Sequence, residues 1–289
     1  MMNIKKYNLQ YLSRKTKKTL GCVIDYYAYK KGGTISLYFF SKEKNVGDIL
    51  NPYLVSRLFN ITCIQRQKGR SPNLLAIGSV MHEATLSSYI WGSGFISRKD
   101  LPKKLDPKKI KALRGALSVE LLNEKYGINL GDLPLGDPAI LMPLVYKPET
   151  NKKYKVGIVA HYVDKDKIPE SIHSNPGIKL IDVQQDPESF VDDLMECSHI
   201  VSSSLHGLIL ADTYGIPNKW IVLSDRLVGG DFKFNDYYST TKNPDEKGFA
   251  ISNSKHFSEL MENIESYTSI KDFNLSKEAL LDSFPIKNL

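Results

Sequence analysis

The chain has 289 residues, 42% of them hydrophobic and 25% charged, with a formal net charge of +7. That balance belongs to a globular protein, and no apolar run approaches the roughly 20 residues needed to span a bilayer. Three cysteines (Cys22, Cys63, Cys197) are too few and too far apart for a disulfide framework or a metal-ligand cluster, and the N-terminus lacks the apolar stretch of a secretory signal, so a cytoplasmic location is expected.

In chain order, residues 1–20 come first, with Lys5, Lys6, Arg14, Lys15, Lys17 and Lys18 and no acid. Such a segment attracts anions, including a phospholipid surface; no nucleic-acid-binding motif accompanies it, so no nucleic-acid partner is expected. Ile35–Phe40 reads as a strand. Asn45-Val46-Gly47-Asp48 breaks the pattern, and Leu50–Phe59 has helical spacing with Pro52 tolerable in its first turn. Leu74–Ile77 is a short buried strand ending at Gly78-Ser79, and Ile90-Trp91 runs into Gly92-Ser93-Gly94. Lys111–Leu113 leads to Arg114-Gly115, after which Ser118 opens a helix that stops at Gly127.

Gly136-Asp137-Pro138 and residues 142–155 read as a boundary, giving domains 1–145 and 146–289. In the second half, strands are expected at Lys155–Ala160, Ile178–Val183, His199–Ser202 and Trp220–Leu223, and helices at Pro187–Cys197 and Leu208–Tyr214. Apolar strand runs alternating with helical patterns predict an α/β fold with largely parallel strands. Two such domains would face each other across a cleft, with ligands at the carboxyl ends of the strands.

Ser202-Ser203-Ser204-Leu205-His206-Gly207 is the sharpest motif. It is a strand–turn–helix junction where free helix N–H groups and serine hydroxyls suit an anion. His206 stands there as a side chain able to move a proton near neutral pH. No second ligand stands at metal spacing from it. Arg114, at a strand end before a helix, suits a carboxylate or phosphate through its planar fork. Asn45-Val46-Gly47-Asp48 and Gly92-Ser93-Gly94 are small-residue loops suited to lining a cleft. Gly229–Tyr238 mixes glycines, aromatics and charges, a composition suited to holding sugars or ordering a lid.

In order and spacing these segments resemble the polysaccharide pyruvyl transferase family over about residues 35–240. The resemblance rests on Asn45-Val46-Gly47-Asp48, Gly92-Ser93-Gly94, Leu113-Arg114-Gly115 with Ser118, Gly136-Asp137-Pro138, Ser202-Ser203-Ser204-Leu205-His206-Gly207, and Phe232-Lys233-Phe234 with Asp236-Tyr237. It implies two Rossmann-like domains in a GT-B-like arrangement, phosphoenolpyruvate as co-substrate with no other cofactor and no metal, and a glycan acceptor, lipid-linked or free. It further implies His206 as the catalytic group. Donor contacts would come from Arg114, Ser203, Ser204, Leu205, Gly207 and Lys233, and acceptor contacts from Asn45, Asp48, Gly92 and Ser93. Many members carry an arginine just before the Leu-His pair; here that position is Ser204, so either a serine hydroxyl and backbone N–H groups hold the anion, or another basic residue reaches in, with Lys233 and Arg226 as candidates. Two readings compete with this one: a GT-B glycosyltransferase using a nucleotide sugar, and a non-catalytic glycan-binding protein.

Overall fold

A computed structural model describes residues 33–65 and 73–285. The basic segment 1–20 and Cys22 lie outside the described residues. The first half runs β1 (Thr34–Tyr38), α1 (Val46–Phe59), β2 (Thr62–Gln65), β3 (Asn73–Leu75), β4 (Ser88–Trp91), β5 (Ile110–Ala112) and α2 (Ala116–Tyr126). After a 3-10 segment, Pro138–Leu144, the second half runs β6 (Tyr154–Val159), α3 (Glu170–His173), β7 (Ile178–Leu180), α4 (Pro187–Met195), β8 (Cys197–Ser202), α5 (Leu205–Thr213) and β9 (Asn218–Val222). It closes with α6 (Phe232–Tyr238), β10 (Phe249–Ala250), α7 (Ser254–Glu262), α8 (Ile264–Tyr267) and α9 (Lys277–Asp282).

The described strands form two sheets of five, and every pairing is parallel, as the alternating pattern predicts. Their orders are β2-β1-β3-β4-β5 and β7-β6-β8-β9-β10. Each is therefore second-first-third-fourth-fifth, so the strand order reverses direction between the first and third strands of each sheet. In open α/β sheets a crevice opens at that switch point, outside the carboxyl ends of the strands. Here those ends are Tyr38 beside Leu75 in one sheet and Val159 beside Ser202 in the other.

Apolar packing joins the two halves. One core cluster contains Leu37, Leu54 and Trp91 from the first half, Phe190, Leu208 and Ile209 from the second, and Ala139–Met142 from the 3-10 segment between them. Residues 139–142, at the expected boundary, belong to that core, because the segment turns its apolar side chains inward. The chain then returns: α9 brings Leu280, whose carbonyl accepts from Trp91 Nε1 at 2.8 Å, and Phe284 stacks on Phe59. Burying a side chain of that size stabilises by about 1.5–3 kcal/mol.

Three expected helix starts shift, each for a local reason. Helix α1 begins at Val46 instead of Leu50, because the Asn45 side chain accepts from Gly47 N at 3.0 Å and caps it. Helix α2 is entered through Gly115; Ser118 sits inside its first turn and donates from its backbone N and its Oγ to Asp236 instead of capping. Helix α5 begins at Leu205 instead of Leu208, which puts His206 in its first turn. Strand β2 has a largely exposed, partly polar sequence that offers no apolar run to read. Among the described residues, no helix is long and apolar enough to cross a membrane.

Candidate active site

Strand β8 ends in a hydroxyl-built turn. Ser202 Oγ accepts from Ser204 N at 3.0 Å and lies 3.1 Å from the Val159 carbonyl. Ser203 Oγ accepts from His161 N at 2.9 Å, so it ties the ends of β6 and β8 together. The first internal bond of α5 runs from Leu208 N to Ser204 O at 3.3 Å; the amides of Leu205, His206 and Gly207 precede it and have no carbonyl one turn back. Gly207 lets the helix pass close over β8, since a Cβ there would lie 2.4 Å from Ser202 Oγ.

The two switch-point crevices face each other and enclose one cavity of about 280 Å³. The first half contributes Tyr38 at the end of β1 and Phe40 after it, Asn45, Gly47 and Asp48 at the start of α1, and Gly78 and Ser79 after β3. The second half contributes His161 and Tyr162 after β6, Ser204, Leu205 and His206 after β8, and Arg226 and Lys233.

His206 sits where the halves meet. Its Nε2 lies 3.5 Å from Asp137 Oδ2 and is buried without a hydrogen-bond partner. The opposite edge of the ring rests on Gly47, where a Cβ would come within 2.0 Å of Nδ1. Gly47 lies inside a helix, where alanine is normally favoured by about 1 kcal/mol. Gly47→Ala is therefore expected to run against propensity: it should displace the imidazole and lower turnover roughly 10²-fold without raising the thermal midpoint. Steady-state kinetics together with a melting curve check this.

Charge is unevenly arranged around the cavity. Burial raises the Asp48 carboxyl to about 6, against the opposing pull of His206, a backbone hydrogen bond from Phe40, and Lys233. Lys233 is half-buried, and its Nζ lies 5.4 Å from the Phe234 ring centroid. Among the described residues no carboxylate forms an ion pair with it. Burial first, and the nearby Arg114 charge second, lower its ammonium to about 8. Burial and Lys233 lower His161 to about 4, so its ring is neutral at pH 7. His161 Nδ1 accepts from Val163 N at 3.4 Å, which leaves the proton on Nε2. Arg226 reaches the rim, but its guanidinium binds Asp166 at 2.8 Å and the Val163 carbonyl at 3.1 Å.

Arg114 lies behind the cavity wall and is fully buried. Its Nε donates to Asp236 Oδ2 at 2.8 Å, Nη1 to Ser79 Oγ at 2.5 Å and Nη2 to the Phe95 carbonyl at 2.6 Å. Gly94 makes room for it, since a Cβ there would lie 2.5 Å from the guanidinium carbon. All three nitrogens are engaged by the protein, so the direct grip on a donor expected of Arg114 is not the arrangement found. Its link to the cavity runs through Ser79, beside Gly78, which lies next to His206.

Of the residues marked in the sequence, the cavity brings together His206, Ser204, Leu205, Lys233, Asn45 and Asp48. Arg114, Ser203, Gly207, Gly92 and Ser93 do not line it. Gly92 packs on Pro138 at a positive φ of 84°, and Ser93 Oγ donates to the Gly78 carbonyl at 2.9 Å. These residues shape the wall from behind. Sequence reading missed Tyr38, His161 and Tyr162. A signal existed for His161: it directly follows the apolar run Val156–Ala160, at the carboxyl end of a strand. Among the described residues, no group of three or more His, Cys, Asp or Glu side chains could hold a metal ion.

These features define an α/β protein that holds an anion-suited cavity, with one histidine at its centre, between two parallel sheets. Residues 45–224 match the family model for polysaccharide pyruvyl transferase, and the chain belongs to that family. It is 29% identical to an uncharacterized protein of Acanthamoeba polyphaga mimivirus over 214 residues, covering 71% of this chain and 74% of that one. It is 28% identical to the succinoglycan biosynthesis protein ExoV of Rhizobium meliloti over 211 residues, covering 70% of this chain and 63% of that one. A crystal structure of a functionally uncharacterized protein from Klebsiella pneumoniae superposes with a TM-score of 0.46 at 14% identity, covering 88% of this chain and all of that one.

Proposed function

We propose that the chain transfers the pyruvyl group of phosphoenolpyruvate to two hydroxyls of one sugar, in a surface polysaccharide or its lipid-linked precursor. The products are a cyclic ketal and inorganic phosphate. One observation carries this reading: an ammonium without a carboxylate partner among the described residues, the open amides of a helix start and an imidazole share one small cavity. Phosphoenolpyruvate has two anionic groups beside a carbon that must be protonated. Lys233 and the α5 amides suit the anions, and His206 suits the carbon. Arg114 adds its charge from behind the wall through Ser79. Asn45, Asp48 and Tyr38, on the facing wall, suit a sugar.

The steps follow from those positions. Protonated His206 gives its proton to the methylene carbon while a sugar oxygen bonds to the adjacent carbon. The hydroxyl proton then passes to the imidazole. Phosphate leaves with the electron pair of its C–O bond, the second hydroxyl closes the ring, and its proton leaves with the phosphate. Lys233 near the departing phosphate stabilises the charge that develops there. This scheme needs no cofactor beyond its co-substrate, and the reaction would run in the cytoplasm, where the donor is made.

The matching strand orders support two Rossmann-like domains, 1–145 and 146–289, facing each other as in GT-B glycosyltransferases. Phosphate release from phosphoenolpyruvate tests the reading: it should require a glycan acceptor and yield an acid-labile ketal on it. Stabilisation by a nucleoside diphosphate, with none by phosphoenolpyruvate, would overturn it in favour of a glycosyltransferase.

Lys233→Met should raise KM for phosphoenolpyruvate roughly 10–100-fold, the value of one charge-assisted contact of about 1.5–3 kcal/mol. In the unsubstituted protein the ammonium is charged below about 8 and loses its proton above it. Donor affinity should therefore fall as pH rises through that value, and calorimetric titration at pH 7 and pH 9 would show it.

A further inference from the structure

We infer that Asp137 is a positioning residue for His206: its carboxylate keeps the proton on Nε2, so Nδ1 is the nitrogen that exchanges protons with substrate. The chemical consequence rests on the proposed transfer reaction; the geometry does not. Asp137 is fully buried and held at both oxygens. Oδ1 accepts from Ala139 N at 3.0 Å, and Oδ2 accepts from Gly78 N at 3.4 Å. The carboxylate is thus fixed by the 3-10 segment on one side and the end of β3 on the other, and it cannot turn away from the ring.

Oδ2 also lies 3.5 Å from His206 Nε2, which is buried and has no hydrogen-bond partner. A lone pair on Nε2 would face that fixed negative oxygen and be repelled, whereas an N–H there is attracted. The tautomer of a neutral imidazole is set in this way by what its second nitrogen meets. Nδ1 then carries the lone pair, on the ring edge that lies over Gly47 in the cavity wall. The other ionisable groups around that cavity are Tyr38, Asp48 and His82 from the first half, and His161, Tyr162, Arg226 and Lys233 from the second. Among the described residues none of these forms an ion pair with the ring; Asp48 acts on it only through its field, and Asp137 is the carboxylate beside Nε2.

The test uses the full chain labelled with ¹⁵N-histidine. Long-range proton–nitrogen correlation spectra are recorded above the imidazole titration, and His206 is assigned by its loss in His206→Asn. The expected pattern is the Nε2–H tautomer. Asp137→Asn should give mixed tautomers, because the fixed negative oxygen facing Nε2 is gone. In turnover it should lower kcat roughly 10²–10⁴-fold, as in other carboxylate–imidazole pairs, with KM for phosphoenolpyruvate within about twofold. A dominant Nδ1–H tautomer in the unsubstituted protein overturns the inference, as does a tautomer unmoved by Asp137→Asn. If the substituted chain does not fold, the tautomer of the unsubstituted protein still decides. The expected tautomer with no transfer to any acceptor would sink the proposed reaction and leave the positioning role intact.

Discussion

His206→Ala should abolish acceptor-dependent phosphate release from phosphoenolpyruvate, lowering kcat roughly 10²–10⁴-fold, the range typical of a lost general acid–base group. The fold should survive. His206 is 9% exposed and its Nε2 makes no hydrogen bond, so truncation removes little that holds α5 in place. Donor binding should also survive, because Lys233 and the helix amides remain. The decisive comparison is therefore a thermal shift with phosphoenolpyruvate, retained in the variant, against a phosphate-release assay, lost in it. Retained turnover would remove His206 from the chemistry, whatever the binding result.

Arg114→Ala should act on stability first. Breaking a buried ion pair by removing one partner destabilises by about 3–5 kcal/mol, because the other charge is left buried and alone. Here that charge is Asp236, fully buried, which also accepts from Ser118 N and Ser118 Oγ at 2.8 Å each. A fall in melting temperature of roughly 6–15 °C is expected. Arg114→Lys should recover only part of it, since one ammonium cannot serve Asp236, Ser79 and Phe95 from the guanidinium's three directions. Donor affinity per folded molecule should change only a few-fold, because the charge acts from behind the wall. A loss of affinity of two orders of magnitude with an unchanged melting curve would show instead that Arg114 swings out to touch the donor.

Much of the fold was legible because it depends on local signals. Parallel strands flanked by turns announce themselves as short apolar runs, and Gly127 and Gly215 mark helix ends with positive φ. The strand order did not announce itself. It is fixed by which edges pair across long separations, and nothing in Ile35–Phe40 or Leu74–Ile77 says that the two are neighbours. The site was legible in part for the same reason. His206 and Lys233 carry their chemistry in their identity, and family spacing pointed to them. The work of Asp137 and Gly47 is relational: one matters because an imidazole lies 3.5 Å away, the other because there is no room for a methyl group. Arg114 shows the opposite limit. Its sequence context suits an anion grip, yet an aspartate from a distant helix, a serine and a carbonyl take its three nitrogens.

The bare backbone at Gly47 belongs to one half of the molecule and the ring resting on it to the other. That seat makes the imidazole a gauge of the spacing between the halves. Any opening of the cleft lifts the ring from its support and changes its reach, and closure restores both. On the proposed reaction, proton transfer would then belong to the closed form, and a sugar too bulky to let the halves meet would be refused at the chemical step even after it had bound.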